Sequence, residues 1–278
     1  MNQRRPFILY TLMVFGYAFL YLPIASVVAF SFNETRSVSL WKGFSLEWYG
    51  RLLENQAVID AAGLSLLIAA MASTLAVVIG TMAALALSRF GRFKGRGLLS
   101  LLSSAPLVMP DVMLGISALF LFITLQQLIG WPMGRGIDTI TIAHVTLCVC
   151  YVTVVVRSRL AQTDHSLEEA AMDLGARPLQ VFWLVTLPMI AQSVISAWLL
   201  TFTLSLDDVV LSNFLSGPGA TTMPLVVFSR ARLGLNPSVN AVATLIIVLV
   251  AIGVVVAGYL IARAERRRTL EMAAARRA

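Results

Sequence analysis

Long apolar stretches separated by short polar ones dominate the chain. They fall near 8–30, 64–87, 100–126, 140–157, 189–206 and 240–262, and within each the apolar residues are continuous instead of alternating. Continuous runs predict helices, because a membrane barrel strand alternates with a period of two. The first run has 23 residues, about 34 Å of helix against a hydrocarbon core of about 30 Å. One or two such runs could be buried helices of a large soluble core. Six predict an all-α membrane protein with six transmembrane helices, its 278 residues forming one transmembrane domain.

Composition agrees. Charged residues make up 13% of the chain, against roughly a quarter in a soluble domain, and the mean hydropathy is +0.84. The net charge of +7 is topological. With the amino terminus in the cytoplasm, that side receives Arg4, Arg5, Arg89, Arg92, Lys94, Arg96, Arg157, Arg159, Arg177, Arg263, Arg266, Arg267, Arg268, Arg276 and Arg277, 15 of the 21 Lys and Arg residues. Arg36, Lys42, Arg51, Arg135, Arg230 and Arg232 fall outside. This bias predicts a multi-pass protein of a bacterial inner membrane with both termini cytoplasmic. The basic residues form short juxtamembrane runs without interleaved aromatics, so a nucleic-acid partner is not expected. "RRPFI" at 4–8 resembles the start of an export signal, but the long apolar run behind it has no clear cleavage site, and a retained first helix is predicted.

Covalent chemistry is not expected of this chain. Cys148 and Cys150, two apart on a predicted helix, point to nearly opposite faces and read as small packing residues. His144 on the same span reads equally as a path-lining group or a hydrogen-bonded packing residue. No P-loop, metal-ligand set or nucleophile constellation is visible, so no metal, cofactor or enzymatic activity is assigned to the chain itself.

One polar connection stands apart: "HSLEEAAMDLGARPLQVFWLVTLP", residues 165–188. Ser166 and Glu169 have the spacing of a capping box. Leu167, Ala170, Ala171 and Leu174 share one helical face, and Glu168, Glu169 and Asp173 occupy the remaining surface. Gly175 suits a left-handed helix end and Pro178 the first turn of a second short helix. A helix lying on the membrane surface would carry Lys and Arg toward the headgroups. Three acids fit better as a surface offered to a basic, partly apolar groove on a partner protein.

The same residues carry a resemblance. Glu169-Ala170-Ala171, three residues, Gly175, nine residues, then Val185, Thr186, Leu187 and Pro188 is similar to the EAA signature of ABC-importer permeases, EAA-x3-G-x9-I-x-LP, with Val185 in the Ile position. "APLVMPDV" (105–112), "FTLSLDDVV" (202–210) and "SGPGATTMPL" (216–225) resemble the permeases of putrescine and spermidine importers, the second permeases of putrescine systems in particular. The resemblance implies a type I ABC-importer permease fold carrying polyamines inward. Its partners would be a second, non-identical permease, an ATPase dimer that holds the ATP and Mg, a periplasmic polyamine-binding protein and the lipid bilayer. The loop 158–188 would be the coupling element, with Glu169, Ala170, Ala171, Asp173, Gly175, Leu187 and Pro188 as its residues and Glu169 paired with a basic residue of the ATPase.

A path for flexible diammonium chains should offer carboxylates and aromatic faces. Acids in or beside spans carry a functional expectation. They are Asp111, behind Pro106 and Pro110 in the third span, and Asp207 and Asp208, at the outer end of the fifth. The competing expectation for the last two is a structural cap at a helix end. "SLEWYGRLL" (45–53) predicts a short surface helix whose Trp48 and Tyr49, with Trp41, belong to the aromatic belt. Residues 216–224 predict an ordered outer loop facing the binding protein. Another solute in the same importer class is the main alternative. A stand-alone transporter would lead one to expect internal repeats, and none is visible.

Overall fold

In a computed structural model of the chain, residues 4–35, 40–232, 239–248, 250–253, 255, 256, 258, 259 and 263 are described. Arg36, Arg266, Arg267, Arg268, Arg276, Arg277 and part of the sixth predicted span lie outside them. The helices are α1 (Arg4–Phe30), α2 (Glu47–Leu53), α3 (Gln56–Arg89), α4 (Arg96–Leu102), α5 (Ala105–Val108), α6 (Asp111–Ile129), α7 (Ile137–Leu160), α8 (Ser166–Asp173), α9 (Pro178–Val181), a π-helical turn (Phe182–Thr186), α10 (Leu187–Asp207), α11 (Val210–Leu215) and α12 (Met223–Arg232). Among the described residues, five stretches are long and apolar enough to cross a membrane: Leu9–Phe30, Gln56–Arg89, Asp111–Ile129, Ile137–Leu160 and Pro178–Asp207. A shorter apolar helix, Val239–Gly253, overlaps the sixth predicted span.

Two predicted spans need correction. The third, expected over 100–126, is broken: Met109 and Pro110 are extended, with ψ of 137° at both, so α4 and α5 precede a separate span α6. A proline disfavours the helical region for the residue before it, and Met109 obeys. The fifth, expected over 189–206, begins earlier, because α9, the π turn and α10 run on without a gap from Pro178 to Asp207. At the π turn the Leu187 amide reaches back to the carbonyl of Phe182. The widened turn sits where the ring of Pro188 would otherwise press on the carbonyl four residues back.

The chain divides into two compact units, residues 1–59 with 226–278, and residues 60–225. In the first, none of the described side chains of α1 is buried, as a lipid-facing helix would have it. The loop after it is tied to itself. The Trp48 indole donates to the carbonyl of Asn33 at 2.8 Å, and Asn33 holds the Leu40 carbonyl and the Lys42 amide. Trp48 is therefore a buried structural residue and not part of an aromatic belt, while Trp41 remains exposed.

In the second unit α3, α7 and α10 pack through Ala76, Ala84, Cys148, Val152, Val156, Leu160, Ile190 and Ala197. Small residues let α3 and α7 approach closely. A Cβ on Gly80 would lie 2.6 Å from Val152 Cβ, so only glycine fits. A second cluster joins Ile68 of α3, Phe122 of α6, Ile140 and Ala143 of α7, Leu215 of α11 and Ala220. The 216–224 segment is ordered, as expected: Thr139 donates to the Leu215 carbonyl at 3.0 Å, and the Met223 amide to Ser65 Oγ at 2.8 Å. The two cysteines are buried and unpaired, with Cys148 near the Thr201 carbonyl and Cys150 near that of Leu102, on different neighbours as their spacing predicted.

Candidate functional site

The elbow between α7 and α10 forms as the sequence predicts, with a different start. Ser166 is the first residue of α8 and no capping box forms. Instead Asp164 Oδ1 accepts the Ser166 amide at 3.0 Å. This hydrogen bond, with one from the Ser166 side chain, holds the Asp164 carboxyl below the ordinary carboxylate range. Glu169, expected to reach back to the backbone, lies beside the exposed His165 ring, Oε1 to Nδ1 2.8 Å. The end of α8 follows the expectation. Gly175 has φ +88°, and its amide bonds the Met172 carbonyl while the Ala176 amide bonds that of Ala171. This paired closure around a left-handed residue is the glycine-dependent way to end a helix.

The two faces of α8 are not arranged as the pattern suggested. Glu168, expected on the outer surface with Glu169 and Asp173, is turned inward and only 6% exposed. Arg89, the last residue of α3, grips it with two donors, Nε to Oε2 at 2.9 Å and Nη2 to Oε1 at 3.3 Å. Thr186 in the π turn donates to Oε1 at 3.1 Å, and Arg89 Nη2 also reaches Thr163 Oγ1 at 3.0 Å. Removing one member of a buried ion pair costs about 3–5 kcal/mol, because the other charge is left without a partner. The outward face is apolar with an acidic edge: Leu167, Met172, Leu174 (90% exposed) and, on α9, Leu179 (72%) stand open. Glu169, Ala170, Asp173 and Gly175 are exposed beside them, Ala171 is half-buried, Leu187 packs on the core and Pro188 is exposed in the first turn of α10.

Asp111 opens α6 directly after the break at Pro110 and is exposed. Asp207 ends α10, also exposed. Asp207 and Asp208 lie at the end of the fifth span, Pro178–Asp207, as expected, and Asp208 also meets the competing expectation of a helix cap. Asp208 Oδ2 lies 3.2 Å from Nε2 of His144, which stands about two turns inside α7. Beyond Asp208 the chain continues as α11, whose last carbonyl, Leu215, meets Thr139 in the first turn of α7. The two acids thus occupy a break between helices, with more structure on either side. Asp208 is committed there: its carboxylate also accepts the Leu211 and Ser212 amides at 3.3 and 2.9 Å, capping α11.

Sequence reasoning missed Arg89, Thr163 and Thr186 as partners of α8, and the stacked pair Trp198 and Phe202, ring centroids 5.1 Å apart on α10. The aromatic pair had a signal, its i, i+4 spacing. Arg89 had none beyond a charge at the end of a span.

Comparison with known proteins follows the same line. Residues 76–270 match the family described as binding-protein-dependent transport system inner membrane component. The chain is 54% identical over 266 residues to the putrescine transport system permease protein PotI of Escherichia coli K12, covering 96% of this chain and 95% of that one. It is 42% identical over 247 residues to the spermidine/putrescine transport system permease protein PotC of Haemophilus influenzae, covering 89% and 93%. Its fold is similar to a bacterial ABC transporter involved in the import of the acidic polysaccharide alginate, with TM-score 0.69, 17% identity, and 95% of this chain and 98% of that one covered.

Proposed function

The chain belongs to the family of binding-protein-dependent transport system inner membrane components, and on that premise we propose that it is a permease subunit of an ABC importer that brings putrescine or spermidine into the cytoplasm. It is a multi-pass inner-membrane protein with both ends in the cytoplasm, as the distribution of Lys and Arg favours. ATP and Mg bind on a separate ATPase dimer, a second permease completes the pore, and a periplasmic binding protein delivers the solute.

The observation that carries this reading is the elbow of α8 and α9. It is closed at Gly175 and shows Leu167, Leu174 and Leu179 to the outside beside Glu169 and Asp173. An exposed apolar set with an acidic rim is the chemistry of a protein-docking surface. It lies between two spanning helices, where a push from an ATPase can reach the pore. Ala170 and Ala171 allow close approach, and Leu187 and Pro188 set the start of α10.

The acids at the helix breaks fit a cationic cargo. Asp207 stands at the carboxyl end of α10, where the helix dipole and its last carbonyls add to a negative potential suited to an ammonium group. Asp111 supplies a second exposed carboxylate at the α5–α6 break, and Asp208 supports the site from His144. Reconstitution in liposomes with the second permease, the ATPase and the binding protein tests the proposal. ATP-dependent uptake of putrescine or spermidine is expected. A complex that hydrolyses ATP in response to another solute and ignores both polyamines would refute the substrate assignment.

A further inference from the structure

Building on that reading and resting on it, we propose that Arg89 and Glu168 form an internal latch that makes α8 move as one body with the ends of α3, α7 and α10. Both are positioning residues, since neither faces the proposed partner.

The argument begins from what α8 lacks. Eight residues of helix are too few to be rigid alone, and its leucines point away from the rest of the chain. A force applied to that outer face reaches the spans only through whatever ties the inner face down. The tie is a polar cluster. Glu168 takes both donors of the Arg89 fork, which ends α3, and the hydroxyl of Thr186, which leads into α10. Arg89 also holds Thr163, whose hydroxyl donates to the carbonyl of Leu160, the last residue of α7.

The ends of α3 and α10 therefore meet on one carboxylate, and Arg89 carries the link on to the end of α7 through Thr163. An apolar contact would hold them together without fixing their register, whereas a forked guanidinium–carboxylate pair fixes direction as well as distance. Docking does not account for burying this charge, because Glu169 and Asp173 already supply exposed acids on the outer face.

The test uses the complete importer in liposomes, with this subunit as wild type, Glu168→Gln, Arg89→Lys, or the exchange Arg89→Glu with Glu168→Arg. Putrescine or spermidine taken up per ATP hydrolysed is measured beside complex assembly. The Glu168→Gln complex should assemble and lose roughly tenfold in solute per ATP, a size typical of coupling between sites. Arg89→Lys keeps the charge without the fork and should fall between. The exchange should restore most of the ratio, since the Thr163 and Thr186 hydroxyls can each donate or accept. A residue that served folding alone would lower the amount of complex and leave the ratio intact. An unchanged ratio in Glu168→Gln, or a loss in an assembled complex that the exchange does not repair, overturns the latch.

Should Glu168→Gln fail to assemble, Thr186→Val removes one bond only and should lower the ratio in the same direction; no change overturns the proposal. Absence of both putrescine and spermidine uptake by the wild-type complex would refute the transport reading instead. The latch is then judged by amide exchange over 166–174 in that complex, expected to quicken in Glu168→Gln, with unchanged exchange counting against it.

Discussion

His144 and Asp208, 64 positions apart in sequence, meet at 3.2 Å between Nε2 and Oδ2. The other imidazole nitrogen lies 2.6 Å from Ser205 Oγ, so a ring protonated on Nε2 satisfies both neighbours. This contact divides two adjacent acids into different tasks. Asp208 holds a helix start and a buried histidine, and Asp207 is left open beside it.

Different variants should expose that division. Asp208→Ala removes the cap of α11, worth about 1 kcal/mol, and leaves the buried His144 one partner short, worth about 1–3 kcal/mol more. The purified protein should melt at a clearly lower temperature. Asp207→Asn touches neither contact. Its melting temperature should stay within the ordinary scatter of surface changes, about 0.5 kcal/mol, while polyamine uptake falls. Unimpaired uptake by Asp207→Asn would remove it from the proposed path.

Gly175 yields a second prediction. Its φ of +88° costs an L-residue roughly 1–2 kcal/mol, more for a β-branched side chain. Gly175→Val should insert in the membrane normally, since the spans are untouched, and lose transport per ATP. Gly175→Asn, which tolerates the left-handed region best among side chains, should lose less. The comparison is read from the ratio of uptake to hydrolysis, and equal ratios in the two variants would show that the turn conformation is not what matters.

How these elements could be foreseen depends on the range of the interaction behind each. Gly175 and Pro178 act within a turn, so local pattern revealed the end of α8 and the bend after it. That spans exist was equally legible because hydrocarbon imposes length and continuity on them, though the bounds of the third and fifth were not. The break at Pro110 was half-legible: the prolines were visible, but two extended residues, Met109 and Pro110, separate α5 from α6 where one continuous span had been expected. Glu168 was not legible at all. Its orientation is set by Arg89, 79 positions earlier, and helical periodicity carries no information about a charge arriving from another helix. The contact of Asp208 with His144 was hidden for the same reason, since the two lie 64 positions apart on different helices.

Close packing of α3 on α7 gives a third prediction. Gly80→Ala would place a methyl 2.6 Å from Val152 Cβ and 3.0 Å from the carbonyl of Val149. Overpacking of this kind costs about 1–3 kcal/mol. Val152→Ala should return part of that loss in the double variant by removing Cγ1, 2.7 Å from the added methyl, and only part, because Val152 Cβ and the Val149 carbonyl stay. Thermal melts of the four proteins form the cycle. Strict additivity of the two single changes would mean that the helices do not meet as described.

The last prediction concerns the outer face of the elbow. Leu174 and Leu179 are 90% and 72% exposed, so truncating either leaves the chain's own packing almost untouched. If the ATPase covers them, each loses burial on truncation to alanine. Burying a whole leucine side chain is worth about 1.5–3 kcal/mol, and the part lost beyond alanine is about 1–2 kcal/mol. Leu174→Ala should therefore bind the ATPase roughly tenfold more weakly. Leu179→Ala should do much the same, and the double variant should approach the product of the two. Affinity measured with the permease pair in nanodiscs reads the effect, with the melting temperature of each variant as the control. Unaltered affinity in the double variant would place the docking surface elsewhere, because no charge on α8 could compensate for two leucines left in water.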